Sequence, residues 1–166
     1  MTGRARGYCG RVCDVRDELA AEISGEARRR GLTVAVAESL TGGMVASALA
    51  AAESAAEWFR GSLVAYSSDV KHEVLGVPDG PVVSPAAAEA MATGARRLLA
   101  ADVAVAVTGS GGPSAQDGQE PGTVYLAVDL GSTTRVRRLD LDGEPSVICS
   151  RSAEETLRLL LDGLRR

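Results

Sequence analysis

An apolar run, Thr33-Val34-Ala35-Val36-Ala37, stops at Glu38-Ser39-Leu40-Thr41 and a glycine pair, Gly42-Gly43, and an Ala-rich stretch begins at Met44. The run is too short for a helix and rich in β-branched residues, whereas the segment after it has helical spacing. The stretch therefore reads as buried strand, tight turn, helix. It puts Ser39 at the carboxyl end of a strand, where open α/β sheets place ligands. The N–H groups of Thr41, Gly42 and Gly43 at the helix start are then set to face an anion or a developing oxyanion. A purely structural reading competes with this one: Ser39 or Thr41 caps the helix, and the glycines only punctuate the turn.

A chain of 166 residues is expected to form one domain and to bury about two-thirds of its unfolded surface. Aromatic residues make up only 3%, so the core must be built from Ala, Val and Leu. The net charge of −4 comes from interspersed acids and bases with no basic run, which argues against nucleic acid or an anionic membrane surface as partner. No apolar stretch approaches a membrane span, and the arginines near the N-terminus precede no apolar segment of the kind a secretory signal carries. Cys9, Cys13 and Cys149 form no Cys-x-x-Cys pair and have a single histidine for company. Reduced thiols in a cytoplasmic protein, with no metal site, are the expectation.

Of the 18 basic residues, Lys71 is the only lysine and the other 17 are arginine; His72, beside it, is the only histidine. Lysine differs from arginine in that burial can lower its pKa far enough to release a proton. A lone lysine is also what chance leaves in an arginine-rich chain, so its surroundings have to decide.

Along the chain, residues 1–13 are an aperiodic Arg- and Gly-containing leader, expected to be mobile, and 14–166 form the domain. Asp14 is an N-cap for a helix carried by Leu19, Ala20, Ile23 and Ala27 and closed by Gly31. The opening strand and its helix, to about Ala52, come next. Glu53 to Arg60 is a short link in which Trp58 and Phe59 supply the apolar area. Gly61 to Tyr66 reads as a second strand, and Ser67-Ser68 as the cap of a short helix, Asp69 to Leu75, closed by Gly76. Ser84-Pro85 starts a helix with Ala88, Met91, Ala92, Ala95, Leu98 and Leu99 on its buried stripe. Asp102 to Thr108 is a continuous apolar run that fits a central strand covered on both faces. It leads into Thr108-Gly109-Ser110-Gly111-Gly112-Pro113, a glycine-rich loop whose N–H groups are suited to a phosphate or carboxylate but which matches neither a P-loop nor a dinucleotide fingerprint. Gly122–Val128 and Thr133–Leu141 read as an antiparallel pair turning at Asp129-Leu130-Gly131-Ser132. A last helix runs from near Ser146 to Leu164, with Leu157, Leu160, Leu161 and Leu164 on its apolar stripe. The pattern predicts a three-layer α/β/α sandwich with a mixed sheet.

Three blocks carry a resemblance. They are Ala37-Glu38-Ser39-Leu40-Thr41-Gly42-Gly43; Val64-Ala65-Tyr66-Ser67-Ser68-Asp69-Val70-Lys71 with Leu75-Gly76-Val77; and Val107 to Pro113 with Pro121-Gly122-Thr123-Val124-Tyr125. In this order and spacing they resemble the CinA C-terminal domain family, collinearly from about Leu19 to the end. The family's known enzymes are nicotinamide mononucleotide deamidases, which release nicotinate mononucleotide and ammonia. The resemblance implies a serine amidohydrolase with no metal or organic cofactor and a small nucleotide as substrate. It matches Ser39 to the nucleophile, Tyr66 and Lys71 to the family's tyrosine and lysine, and Thr108 and Gly109 to a substrate-contacting turn. A serine hydroxyl needs a base within reach, and a neutral Lys71, alone or relayed through Tyr66, suits that task. The Thr41-Gly42-Gly43 turn is the expected oxyanion hole. The family often self-associates, so a dimer or higher homo-oligomer is expected.

Rival motifs fit less well. Tyr66 and Lys71 are five apart, not the four of short-chain dehydrogenases. Ser68-Asp69-Val70-Lys71 fits the Ser-x-x-Lys of penicillin-recognising enzymes and would make Ser68 the nucleophile, but a chain with one lysine has no companion Lys-Thr-Gly. The chain also departs from the family pattern where Gly143-Glu144-Pro145 and Cys149 stand in place of Gly-Asp-Arg and a further Arg. If that arginine grips the substrate phosphate, the contact is missing here unless Arg135, Arg137, Arg138 or Arg151 replaces it. The alternative function is therefore a catalytically altered or inactive nucleotide-binding or oligomerisation module on the same fold.

Overall fold

The computed structural model describes residues 14–166; the expected leader over 1–13, with Cys9 and Cys13, lies outside the described residues. Helix α1 (Val15–Arg30) starts where the sequence places it. The Asp14 carboxylate accepts the Arg16 N–H, and Gly31, at φ 64°, closes the helix in the left-handed conformation that glycine adopts without strain. Strand β1 (Val34–Glu38) is buried along its whole length. Helix α2 (Met44–Ala50) follows, then α3 (Ala55–Trp58), β2 (Phe59–Val64), α4 (Ser68–Glu73), α5 (Pro85–Leu98), β3 (Val103–Gly109), β4 (Thr123–Asp129), β5 (Thr134–Asp140) and α6 (Pro145–Leu164).

The five strands form one mixed sheet in the order β2-β1-β3-β4-β5. β1 runs parallel to β2 and β3, while β3, β4 and β5 are successively antiparallel. The two-residue periodicity of a strand sorts the core into two unlike halves. Val34, Val36, Val103, Val105, Val107, Val124, Leu126 and Val128 face α1, α2 and α6. Ala35, Ala37, Ala104, Ala106 and Ala127 face α5, through Ala88, Met91, Ala92 and Ala95. Small residues on both sides let α5 lie close to the sheet, and a Cβ added at Gly94 would sit 2.2 Å from the Leu75 carbonyl oxygen.

Most element boundaries follow the sequence expectation, and two details do not. β2 runs from Phe59 to Val64, two residues early at both ends, and its ladder carries a bulge: Val34 pairs with Phe59 and Ala35 with Gly61, so Arg60 is skipped. Gly61, at φ 122°, supplies the backbone freedom for it. On α5, Leu98 is 49% exposed, not part of the buried stripe, and Gly94 joins the stripe instead. No helix among the described residues is long and apolar enough to cross a membrane.

Candidate active site

The order β2-β1-β3 makes the carboxyl ends of these parallel strands the place where neighbouring connections part. α2 leaves β1 toward one face of the sheet, and α5 enters β3 from the other. Such a switch point opens a crevice. Here it is a cavity of about 420 Å³ lined by Ser39, Leu40 and Tyr66 on one side, the loop Gly109 to Gln116 on the other, and Pro145 and Cys149 from the start of α6.

Ser39 follows the last residue of β1 and is fixed through its backbone, its N–H donating to the Val107 carbonyl at 3.1 Å. Its side-chain hydroxyl makes no hydrogen bond among the described residues, and none of their side-chain polar atoms is both fully buried and unpartnered. The hydroxyl therefore opens into the cavity. Tyr66 lies two residues beyond β2 and is 73% exposed on the rim.

Lys71 is 1% exposed. Its Nζ donates to the Tyr66 carbonyl at 3.1 Å, so the amine is held against the backbone of the rim tyrosine instead of reaching solvent. Burial lowers its pKa below the usual lysine value, and the Asp117 carboxylate opposes part of that effect. The geometry thus brings Ser39, Tyr66 and Gly109 to one cavity and sets Lys71 behind the wall that Tyr66 forms. Ser68, the rival nucleophile, is exposed and does not line the cavity, and Ser67 is the cap of α4.

Four expectations need correction. The alternation that turns Val34 and Val36 toward α2 turns Glu38 the same way, and its carboxyl group is the true cap of that helix. It accepts from Thr41 Oγ1 at 2.7 Å and from the N–H groups of Gly43, Val45 and Ala46 at 3.1, 3.1 and 2.8 Å. Neither Ser39 nor Thr41 caps α2. The Gly42 N–H is also engaged, by the Ser39 carbonyl at 3.0 Å. Gly42 and Gly43 line a different cavity, beside the start of α1, and Thr41 is buried over Glu38. Of the three N–H groups expected to form the oxyanion turn, those of Gly42 and Gly43 are thus already engaged within the fold, and only that of Thr41 makes no hydrogen bond among the described residues.

Thr108 is likewise turned away from the cavity: it is buried, and its hydroxyl donates to the Val82 carbonyl at 2.7 Å. Nor does any of the four nearby arginines line the cavity. Arg137 faces Glu155 and Asp162 at 3.5 and 3.6 Å, and Arg138 pairs with Asp140 at 2.8 Å while standing over the Tyr125 ring. Pro145 and Cys149, by contrast, are lining residues, so the departure from the family pattern falls inside the crevice itself. Cys149 Sγ lies 3.2 Å from the Leu40 carbonyl, and burial raises its thiol pKa.

The sequence reading passed over Glu38, Ser110, Ser114, Gln116 and Asp117. Only Glu38 carried a usable signal, as the one acid ending an apolar run with the parity of Val34 and Val36. The others sit in a loop whose path no periodicity describes. Among the described residues no group of three or more His, Cys, Asp or Glu side chains is placed to hold a metal ion.

The family model of the CinA C-terminal domain matches residues 16–164. The chain is 41% identical over 134 residues to the CinA-like protein of Gloeobacter violaceus, covering 77% of this chain and 32% of that protein. To the CinA-like protein of Gemmatimonas aurantiaca it is 38% identical over 156 residues, covering 90% of this chain and 36% of that one. The chain spans about a third to two-fifths of the length of the curated relatives it matches. In three dimensions it is similar to the crystal structure of the competence-damaged protein (CinA) superfamily protein of Escherichia coli, with a TM-score of 0.85, 31% identity and 88% of each chain covered. The mixed five-stranded sheet, the family match over nearly the whole described chain and this structural likeness agree: the chain belongs to the CinA C-terminal domain family.

Proposed function

We propose that this chain is an amidohydrolase that converts nicotinamide mononucleotide to nicotinate mononucleotide and ammonia, with Ser39 as nucleophile and Lys71 and Tyr66 as its proton-transfer partners. The observation that carries the reading is a serine hydroxyl opening into a switch-point crevice with the chain's only lysine buried behind the adjoining wall. The carboxamide substrate itself comes from the family resemblance.

In this mechanism Ser39 Oγ attacks the carboxamide carbon and its proton passes to the Lys71 amine, directly or through the Tyr66 phenol. That proton goes to the departing nitrogen, which leaves as ammonia. Water then attacks the acyl-serine by the same route, restoring the hydroxyl and releasing the carboxylate. Because the Gly42 and Gly43 N–H groups are engaged by the Ser39 carbonyl and by Glu38, the oxyanion needs a donor nearer the cavity. The Leu40 N–H, which makes no hydrogen bond among the described residues and borders the cavity, takes that place.

The test is ammonia release from nicotinamide mononucleotide by the purified chain and by Ser39→Ala. The expected outcome is turnover in the first and none in the second. Turnover retained by the alanine variant, or none from the natural sequence, overturns the reading. Pro145 and Cys149 in the crevice favour a second reading, a nucleotide-binding module on the same fold. Thermal stabilisation by the nucleotide with no ammonia released supports that one.

A further inference from the structure

The loop between β3 and β4 supplies half of the crevice wall, through Ser110, Gly111, Gly112, Ser114, Ala115 and Gln116. At its base it is tied to the sheet by Ser110 N–H to the Thr123 carbonyl and Gly122 N–H to the Ser110 carbonyl, at 2.9 and 2.7 Å. At its tip Gln116 and Gln119 exchange backbone hydrogen bonds of 3.1 and 2.8 Å around Asp117-Gly118. Both central residues have positive φ, 54° and 73°, the conformation of a type I′ turn, for which Asp-Gly is a favoured pair.

This turn directs the Asp117 side chain onto a second element. One carboxylate oxygen accepts from the N–H groups of Val82 and Val83 at 2.7 and 3.0 Å. The Val82 carbonyl in turn accepts from Thr108 at the end of β3. We propose that Asp117 is a positioning residue of the crevice, latching the tip of its loop to the Val82–Val83 backbone in an orientation from which its negative charge bears on Lys71. Asp69 and Glu73 lie on the helix of Lys71 and Asp117 and Glu120 in the loop; burial disfavours the protonated amine, and the Asp117 charge favours it. One side chain thus fixes the wall that meets the substrate and tunes the amine behind it. The inference rests on the amidohydrolase reading for its role in turnover, but not for its geometry.

Lys71 being the only lysine, selective isotope labelling of lysine yields a single side-chain resonance whose titration can be followed in the full chain. The natural sequence is compared with Asp117→Asn, which keeps the acceptor oxygen and removes the charge, and Asp117→Ala, which removes both. The Lys71 midpoint is expected to fall in both variants, whereas Val82 and Val83 amide exchange is expected to accelerate in the alanine variant alone. In turnover, the pH dependence of kcat/KM should shift to lower pH in both variants, and KM should rise severalfold in Asp117→Ala only. A Lys71 midpoint unmoved in both variants, or Val82 and Val83 exchange unchanged in Asp117→Ala, overturns the proposal. If the alanine variant does not fold, the asparagine variant still decides the charge coupling. The titration and exchange measurements do not require turnover, so a natural sequence that releases no ammonia counts against the proposed function alone.

Discussion

Lys71 shows how one residue's surroundings give it a chemistry that its type alone does not. A lysine at 1% exposure, hydrogen-bonded to a backbone carbonyl, keeps its charge at a cost in desolvation, and its pKa falls below the ordinary 10.5. The consequence for stability has a definite sign. The unfolded chain holds the proton up to about 10.5 and the folded chain releases it earlier, so the unfolded state binds more protons between the two values. Stability gained from this residue therefore rises with pH from the lowered folded value to 10.5 and is absent below it. Lys71→Met, apolar and of similar length, should abolish ammonia release. Denaturant unfolding of the two proteins across neutral to alkaline pH should show the natural sequence gaining stability relative to the methionine variant as pH rises. A difference that stays flat with pH would show that the amine is solvated in the folded state.

Among the elements, α2 is the one whose start decides the site. A seven-residue helix contributes little on its own, and its N-cap, Gly43, offers no side chain, so Glu38 reaches across from β1 to take three N–H groups and the Thr41 hydroxyl. The strand and helix are thereby joined around Ser39, whose position depends on that joint. Glu38→Ala leaves several buried donors without partners, and with roughly 1–3 kcal/mol for a group left unsatisfied and about 1 kcal/mol for a lost cap the expected destabilisation is roughly 3 kcal/mol. For a chain of this size that lowers Tm by about 6–12 °C. A thermal melt that moves by less than about 2 °C would mean that water replaces the carboxyl group without loss.

At the scale of the whole molecule, charge and cavity lining bear on the substrate. The chain carries a net −4, and none of the residues lining the crevice is basic. A phosphate entering it meets hydroxyls, an amide, a thiol and glycine backbone but no guanidinium. A charge-assisted contact is worth on the order of 1.5–3 kcal/mol, or roughly tenfold to a hundredfold in affinity. Cys149→Arg is therefore expected to lower KM for nicotinamide mononucleotide by at least about tenfold while leaving KM for the uncharged riboside unchanged. Steady-state kinetics on the two substrates decide it, since an equal change in both would point to altered packing around Leu40 and not to phosphate recognition.

The amino-acid sequence alone determined the layers, most of the element boundaries and the place of Ser39 at a strand end. These depend on local periodicity, on caps such as Asp14 and Ser84 and on glycines such as Gly31, which act within a few residues along the chain. It also singled out Lys71 by its rarity, and through family resemblance it named the chain's relatives. What only the tertiary structure decided is which neighbour each polar group meets. Glu38 and not Ser39 or Thr41 caps α2, Thr108 turns to Val82 and not to the crevice, and Asp117 crosses 35 residues of chain to reach Val82. Hydrogen bonds of that kind are set by the register of the sheet and the path of a loop. A strand's parity says which face a side chain takes, but not which backbone N–H groups wait there.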